Sequence, residues 1–256
     1  MEVHAHTHPA SGGTRKKWTH YFWEFLMLFL AVFCGFLAEY QLEHKIEKDR
    51  EKVYIKNLYE DLKSDTIIYE VYSKKTDEFA SKIDSLFLLL KAGDRNSQLD
   101  KIYFLARTAT MGKAPQLYPN KRTYSQLKSS GLLRLIHSHE VADAVSDYYL
   151  FLESIETQNE TIRNRTSEYM NEIGGVLDAE VLLKILTEEK PPVSGNLKLL
   201  TEDPVTINQF LTSAQYYYGS RRNQNFRGME ALQKANMLIE LLKKQYHLSE
   251  RTPLEK

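Results

Sequence analysis

Residues 18–41 read WTHYFWEFLMLFLAVFCGFLAEYQ, and the rest of the chain is organised around this stretch. Its centre, residues 25–38, carries no charge. As an α-helix these fourteen residues span about 21 Å, which is short for a hydrocarbon core about 30 Å thick. Aromatic side chains that favour a membrane interface flank the centre and lengthen the span to about twenty residues: Trp18, Tyr21, Trp23 and Tyr40. We therefore predict a transmembrane helix over residues 18–41.

A cleaved signal peptide is the main alternative, because Arg15, Lys16 and Lys17 precede the apolar run. Signal peptidase prefers a small residue three positions before the cut. The two candidate cuts, after residue 38 and after residue 35, place Phe36 and Phe33 at that position. We therefore expect an uncleaved anchor.

The orientation of the anchor is left open by the charges on its two sides. The basic cluster at residues 15–17 favours a cytoplasmic amino terminus, but more basic residues follow the other end: Lys45, Lys48, Arg50, Lys52 and Lys56. Long carboxy-terminal domains cross a membrane despite their charges. We therefore favour a cytoplasmic amino terminus and an extracytoplasmic carboxy-terminal domain.

Composition limits the possible partners and folds. Lys and Arg number 34 and so do Asp and Glu, so no net charge attracts the chain to nucleic acid. Cys34 is the one cysteine, which excludes an internal disulfide and a thiolate metal cluster. Only 11 Gly and 7 Pro in 256 residues favour long helices.

Two stretches repeat apolar residues at alternating spacings of three and four, which is typical of helices that bury one face. The first seam contains Ile55, Leu58, Leu62, Asp65, Tyr69, Tyr72, Thr76, Phe79, Ile83, Leu86 and Leu90. The second contains Val141, Val145, Tyr148, Leu152, Ile155, Asn159, Ile162, Thr166, Tyr169 and Ile173. Polar members of the seams, such as Asp65 and Asn159, are expected to fix the register of packing.

A third long helix is predicted from Asp203 and Pro204 to about Tyr246, since a capping residue followed by proline is a strong start signal. Its middle, residues 219–228, reads GSRRNQNFRG and is polar, so a break near Gly219 or Gly228 stays open. The predicted fold is all-α, with one transmembrane helix continuing through a charged stalk into an antiparallel long-helix bundle. The predicted domains are a disordered tail (1–17), the transmembrane helix (18–41) and an α-helical extramembrane domain (42–256).

Shorter helices are predicted from their caps. Ser97 with Asp100 resembles a capping box, and Thr123 and Ser138 are candidate caps of the next two helices. Gly131 is placed to adopt a positive φ at a corner. Another short helix is expected over residues 176–186.

Residues 123–136, TYSQLKSSGLLRLI, followed by VADAVSDYY at 141–149, resemble a group of uncharacterised bacterial single-pass membrane proteins. The opening, residues 18–44, is similar to the same group, so the resemblance covers about the first 150 residues. It implies a protein of the bacterial cytoplasmic membrane. No activity and no catalytic residue are implied by it.

The sequence carries only weak signals for a catalytic or metal-binding site. The dipeptide His139-Glu140 begins like a zinc-protease motif, but Asp143 stands where the second histidine must lie. The alternating His4, His6 and His8 offer three imidazoles on a flexible tail, which makes a poor metal site. We therefore predict no catalytic, cofactor or metal site, and no enzyme.

Two further motifs have ordinary explanations. Residues 216–228 interleave aromatic side chains with Arg221, Arg222 and Arg227, as surfaces for single-stranded nucleic acid do, but a solvated helix is expected in a neutral, tethered chain. Ala31 and Gly35 give the predicted span a small-residue face that permits close approach of a second helix.

These observations favour a membrane-anchored, non-enzymatic interaction or scaffold module with the lipid bilayer and a protein partner or second copy as its partners. The alternative is an extracytoplasmic ligand-binding sensory bundle that acts through a separate output protein. The sequence identifies neither the partner nor a ligand.

Overall fold

The computed structural model describes residues 14–110, 116–192 and 197–248, with side chains from Trp18 onward. The predicted tail therefore lies largely outside the described residues, and so do His4, His6 and His8. In chain order the helices are α1 (Thr14–Lys91), α2 (Leu99–Thr108), α3 (Arg122–Ser129), α4 (His139–Ile173), α5 (Ala179–Glu188) and α6 (Pro204–Tyr246). Short 3-10 helices cover Arg95–Gln98 and Leu132–Leu135. The described residues contain no strand, so the all-α prediction is confirmed.

Two compact units divide the chain, Met1–Lys52 and Val53–Lys256. In the first unit, α1 carries an 18-residue window with a mean hydropathy of 2.0, and none of that window is buried. By length and composition this helix is compatible with a single-pass membrane anchor, although a signal sequence or the core helix of a soluble protein meets the same two criteria. Its large apolar side chains are exposed on every side, for example Phe25, Leu28 and Phe36.

In the second unit the predicted seams are buried. All eleven side chains of the first seam are buried, and in the second seam only Thr166 is half-buried. Each fully buried Leu or Ile contributes about 1.5 to 3 kcal/mol relative to exposure, so these repeats supply much of the stability of the bundle.

The long helices of the second unit do not all run in alternating directions. Part of α1, residues 55–72, packs with the first half of α4 and the second half of α6, and residues 79–90 pack with the second half of α4 and the first half of α6. The helix α6 is therefore antiparallel to both, as predicted, while α1 and α4 run in the same direction. This is possible because α2 packs in the same core as residues 79–90, whereas Leu117 and α3 pack in the core that contains residues 55–72, so the chain has returned along the bundle before α4 begins.

Helix α6 is continuous through its polar middle, where the sequence left a break open. Arg221, Gln224 and Gly228 face the interior rather than solvent. Gln224 donates from Nε2 to Oδ1 of Asn159 on α4 at 2.9 Å. Polar partners inside the bundle therefore keep this stretch helical and buried.

The two glycines of this stretch allow a matched test. We expect Gly219→Ala to raise the free energy of unfolding by about 0.5 to 1 kcal/mol, because Gly219 is helical and no atom lies within 4 Å of an added Cβ. At Gly228 an added Cβ would lie 3.0 Å from Cδ2 of the fully buried Leu117. We expect Gly228→Ala to be at least about 1 kcal/mol less stable than Gly219→Ala in chemical unfolding. Equal stabilities would contradict this packing.

Two of the predicted helix caps are confirmed and two are wrong. Ser138 caps α4 by accepting from the Val141 backbone N–H at 3.4 Å, and Asp203 caps α6 by accepting from Thr206 N–H at 3.0 Å. The Ser97 capping box is wrong, because Ser97 lies in a 3-10 helix and its hydroxyl donates to the Asp94 carbonyl. The Thr123 cap is also wrong: Thr123 lies within α3, and the preceding side chain that accepts from its first turn is Asn120, whose Oδ1 binds the Arg122 N–H at 3.0 Å.

Two other local predictions have clear outcomes. Gly131 adopts a φ of 68°, as predicted for the corner after α3. The short helix expected from residue 176 begins instead at Ala179, because Asp178 caps it through the Glu180 and Val181 N–H groups. Val176 precedes that cap and is fully buried in the turn after α4.

Candidate functional site

An irregular segment between α2 and α3, residues 116–121, is tied to the interior of the second unit, and we call it the strap. Leu117 is fully buried among residues of α1, α4 and α6. Its carbonyl accepts from Nδ2 of Asn159 at 2.9 Å. At its other end, Lys121 pairs with Glu156 of α4 at 2.7 Å. The strap is therefore fixed to the interior by Leu117 and to α4 at both of its ends.

The first of two buried carboxylates that hold the strap belongs to Asp61 on α1. Its Oδ1 accepts from Asn120 Nδ2 at 2.7 Å and from Arg122 Nη2 at 3.0 Å. Its Oδ2 accepts from the backbone N–H of Thr123 at 3.1 Å. This last bond caps α3 from a distant helix, beside the Arg122 N–H that donates to Asn120 Oδ1 at 3.0 Å, since a carboxylate at a helix N-terminus satisfies a free N–H and interacts favourably with the helix dipole.

The second carboxylate, Asp65, lies one turn later on α1 and is fully buried. Oδ1 accepts from the Asn120 backbone N–H at 2.6 Å, and Oδ2 accepts from the Tyr148 hydroxyl at 2.9 Å. The Tyr148 oxygen lies a further 2.9 Å from the Tyr69 hydroxyl. A hydrogen-bonded chain therefore links Tyr69, Tyr148, Asp65 and the strap.

Burial shifts the acidity of this cluster. Loss of hydration raises the pKa of Asp65 to about 6, against the opposing effect of its bonds from Asn120 and Tyr148, and the neighbouring Asp61 raises it further. Burial also raises the pKa of Tyr148 and of Tyr69 above their usual value. The tyrosines therefore stay neutral near pH 7, whereas burial brings the pKa of Asp65 close to neutral pH.

Tyr149, next to Tyr148, has a different environment. Its ring stacks on Tyr124 of α3 with centroids 4.1 Å apart. Its buried hydroxyl has no hydrogen-bond partner among the described residues. Burial raises its pKa, and the charges of Asp65 and Asp61 add to this shift.

The two neighbouring tyrosines give a paired prediction. Tyr148→Phe is expected to lower the free energy of unfolding by about 1 to 3 kcal/mol, because the buried Asp65 carboxylate loses a donor. Tyr149→Phe is expected to be neutral or stabilising, since the ring stack remains and only an unsatisfied hydroxyl is removed. Chemical unfolding of both variants checks this. Equal losses of unfolding free energy would argue against the hydrogen-bonded link from Tyr69 through Tyr148 to Asp65.

The structure separates the residues that the sequence singled out. Asp65, Asn159 and Thr76 lie inside as predicted, but only the first two touch the strap. His139 and Asp143 lie exposed on the first turns of α4. No group of three potential metal ligands occurs in the part of the chain that the structure describes.

Arg221 of the candidate nucleic-acid motif faces inward, with its guanidinium 5.7 Å from the centre of the Phe79 ring and 5.3 Å from that of Tyr217. Arg222 is exposed and donates to the Tyr218 hydroxyl at 3.2 Å. The three arginines therefore do not line one surface together with the aromatic rings, as a nucleic-acid site would require.

Sequence reasoning missed Asp61 and Asn120, which complete the site. A signal was available in the spacing, because Asp61 and Asp65 lie four residues apart on the inward face of a helix. Chemically, the arrangement fixes the strap and holds one carboxyl whose pKa is raised to about 6. No protein-family model, no curated protein and no solved structure matches the chain, so the comparisons assign it to no family.

Proposed function

We propose that the chain is a single-pass membrane protein whose helical bundle is a non-enzymatic interaction or scaffold module. The observation that carries this proposal is the unburied apolar window of α1. Nine of residues 25–38 are Phe, Leu or Val, and together they favour insertion by about 3 to 5 kcal/mol. Water is an unfavourable environment for so many exposed apolar groups, and a bilayer covers all sides of a helix at once.

The membrane that we propose is the bacterial cytoplasmic membrane, with the bundle on its outer side. The resemblance of residues 123–136 to uncharacterised bacterial membrane proteins supports the first part. The basic residues 15–17 before the span support the second part. Protease treatment of spheroplasts tests the orientation, because an outer bundle is digested without lysis and an inner one is protected.

A scaffold role is supported by how the second unit is built. The strap and α3 are tied to α1 and α4 through buried carboxylates, and both ends of the bundle have apolar cores. Such an arrangement holds exposed helix faces at fixed positions, which is what docking of a protein partner or a second copy requires. Crosslinking in intact membranes tests this role, and efficient turnover in a substrate screen would contradict it.

The anchor itself is tested by extraction of membranes at alkaline pH. The wild-type chain is expected to stay in the pellet, and Phe29→Lys with Phe33→Lys to move into the supernatant, because each lysine near the centre of a span costs about 2.5 to 3.5 kcal/mol. The matched control is Phe29→Leu with Phe33→Leu, which stays in the pellet. A wild-type chain in the supernatant would reject the proposal.

A ligand-binding sensory bundle is the second candidate, and one observation favours it. A cavity of about 410 Å³ opens between α4 and α6, within the range of small-molecule sites. A ligand that binds only the folded bundle raises its melting temperature, whereas a pure scaffold responds only to its partner.

A further inference from the structure

The cavity between α4 and α6, which we call the α4–α6 groove, has an apolar floor. Met237, Leu238 and Leu241 come from α6, and Ala144 and the ring of Tyr148 come from α4. Met237 is 67% exposed and is the most accessible part of this floor, whereas Leu238 and Tyr148 are buried beneath it. The lining residues of α4 cover about two helical turns, a length of about 12 Å. A groove of this size accommodates a compact apolar group rather than a long helix.

Two carboxylates, those of Glu140 and Asp147, and one ammonium group, that of Lys234, line the groove. Lys234 lines the groove, but its ammonium lies 3.8 Å from Glu230 and 5.2 Å from the centre of the Phe151 ring. Glu140 accepts from the Gln245 side chain at 3.1 Å. Asp147 is exposed and has no hydrogen bond or ion pair with any other described side chain.

The surrounding sequence of α4 strengthens this negative charge. Residues 139–161 contain no Lys or Arg and six carboxylates, of which one, Glu156, is paired with Lys121: Glu140, Asp143, Asp147, Glu153, Glu156 and Glu160. Carboxylates on one side of a low-dielectric surface raise the local concentration of cations. The carboxylate of Asp147 therefore lies beside an apolar floor, on a part of α4 that carries no basic side chain.

We propose that the α4–α6 groove binds a small amphiphilic cation, with its apolar body on Met237, Leu238 and Leu241 and its ammonium group at Asp147. This inference rests on the sensory alternative for the bundle and is independent of the anchor. An anionic ligand of the same shape would bind more weakly, because Asp147 and Glu140 would repel it. A neutral ligand of that shape would form no ion pair with Asp147.

The test uses the full chain in nanodiscs of neutral phosphatidylcholine, labelled with carbon-13 in the methionine methyl groups. The probe is 4-phenylbutylamine, compared with 4-phenylbutanoate and 4-phenylbutan-1-ol. Met237 reports on the groove, and Met170, whose sulfur lies 3.2 Å from the Thr110 hydroxyl near α2, is the internal control. Empty nanodiscs measure how much probe the lipid takes up.

We expect a saturable shift of the Met237 signal with the amine and none at Met170. Asp147→Asn should weaken amine binding by about fivefold, the effect of one exposed ion pair, and leave the alcohol unchanged. The matched control Asp143→Asn, one turn away and outside the groove, should leave both unchanged.

Several results would overturn the inference while leaving the proposed anchor intact. These are the absence of a saturable Met237 shift, equal binding of the carboxylate and the amine, and equal effects of Asp147→Asn and Asp143→Asn. A Met237 signal that shifts with protein concentration before any probe is added would mean that a second copy covers the groove, and it would equally reject the small-molecule site.

Discussion

Asp61→Ala is expected to lower the free energy of unfolding of the bundle by about 3 kcal/mol or more. The carboxylate of Asp61 is 1% exposed and accepts from Asn120, Arg122 and Thr123. Its removal leaves the Thr123 N–H at the start of α3 and the Asn120 amide without their acceptor. The Arg122 guanidinium is largely exposed and is rehydrated, so it contributes little to the loss.

Chemical unfolding of the full chain measures this effect, and hydrogen exchange shows where it acts. The backbone N–H of Thr123 should lose protection before the core of α4 does, because α3 loses its cap. The matched control is Glu60→Ala, which removes the exposed neighbouring carboxylate and should change stability by less than about 0.5 kcal/mol. Equal effects of the two substitutions would contradict the role given to Asp61.

Asp65→Asn is expected to have the opposite effect at neutral pH. The pKa of Asp65 is raised from 3.8 to about 6, mainly by burial, so its contribution to stability is full below pH 3.8 and is lost as the pH rises through about 6. This rise in the pKa of Asp65 corresponds to a loss of about 3 kcal/mol in the free energy of unfolding between low pH and pH 7. Other groups that face it from α1, α4 and the start of α3 are Asp61, Tyr69, Tyr148 and, through Asp61, Arg122.

An asparagine at this position imitates the protonated carboxyl. Its oxygen can accept from the Asn120 N–H, and its amide can donate to Tyr148, which then donates to Tyr69. We therefore expect Asp65→Asn to match the wild type at pH 4 and to be more stable by up to about 3 kcal/mol at pH 7. The measured quantity is the difference in unfolding free energy between the two proteins across this range, which cancels the titration of all other groups. A variant that is less stable than the wild type at pH 7 would show that the charged form of Asp65 is preferred.

The part of the fold that sequence predicts well is the part set by local periodicity. The seams at residues 55–90 and 141–173 repeat at a helical spacing, and a helix that repeats apolar side chains in this way has one face to bury whatever its partner is. For the same reason Ser138 and Asp203, whose acceptors lie beside the N–H groups they cap, are identified from neighbouring residues alone.

The failures with the largest structural consequences share one physical cause, which is a partner distant in sequence, whereas the Ser97 capping box and the start of α5 fail through neighbouring residues. The cap of α3 comes from Asp61, which lies 62 residues before Thr123. The polar middle of α6 indicates solvent when read locally, yet Gln224 faces Asn159 across the bundle. Likewise the sequence predicts an ordinary loop at the strap, yet Leu117 is buried between α4 and α6. Local composition gives no account of such pairs, because it records the polarity of a residue and not its partner.

The sequence predicts the buried residues of the candidate site but not the partners that other elements bring to them. Asp65, Tyr69 and Tyr148 occupy seam positions and were expected inside, with Asp65 given a role in register. The raised pKa of Asp65 depends on the combination of burial, Asp61 and two donors from other elements. Only the three-dimensional arrangement brings these groups together.

Cys34 permits the most direct test of the membrane anchor. It is the single cysteine of the chain and lies within the uncharged centre, residues 25–38. A thiol must ionise to react with maleimide, and ionisation is unfavourable in hydrocarbon. In open membrane fragments, a charged maleimide should leave Cys34 unlabelled until the sample is dissolved in sodium dodecyl sulfate. A cysteine placed at Glu43 in a Cys34→Ser background should react at once. Equally rapid labelling of Cys34 in intact fragments would contradict a helix buried in lipid.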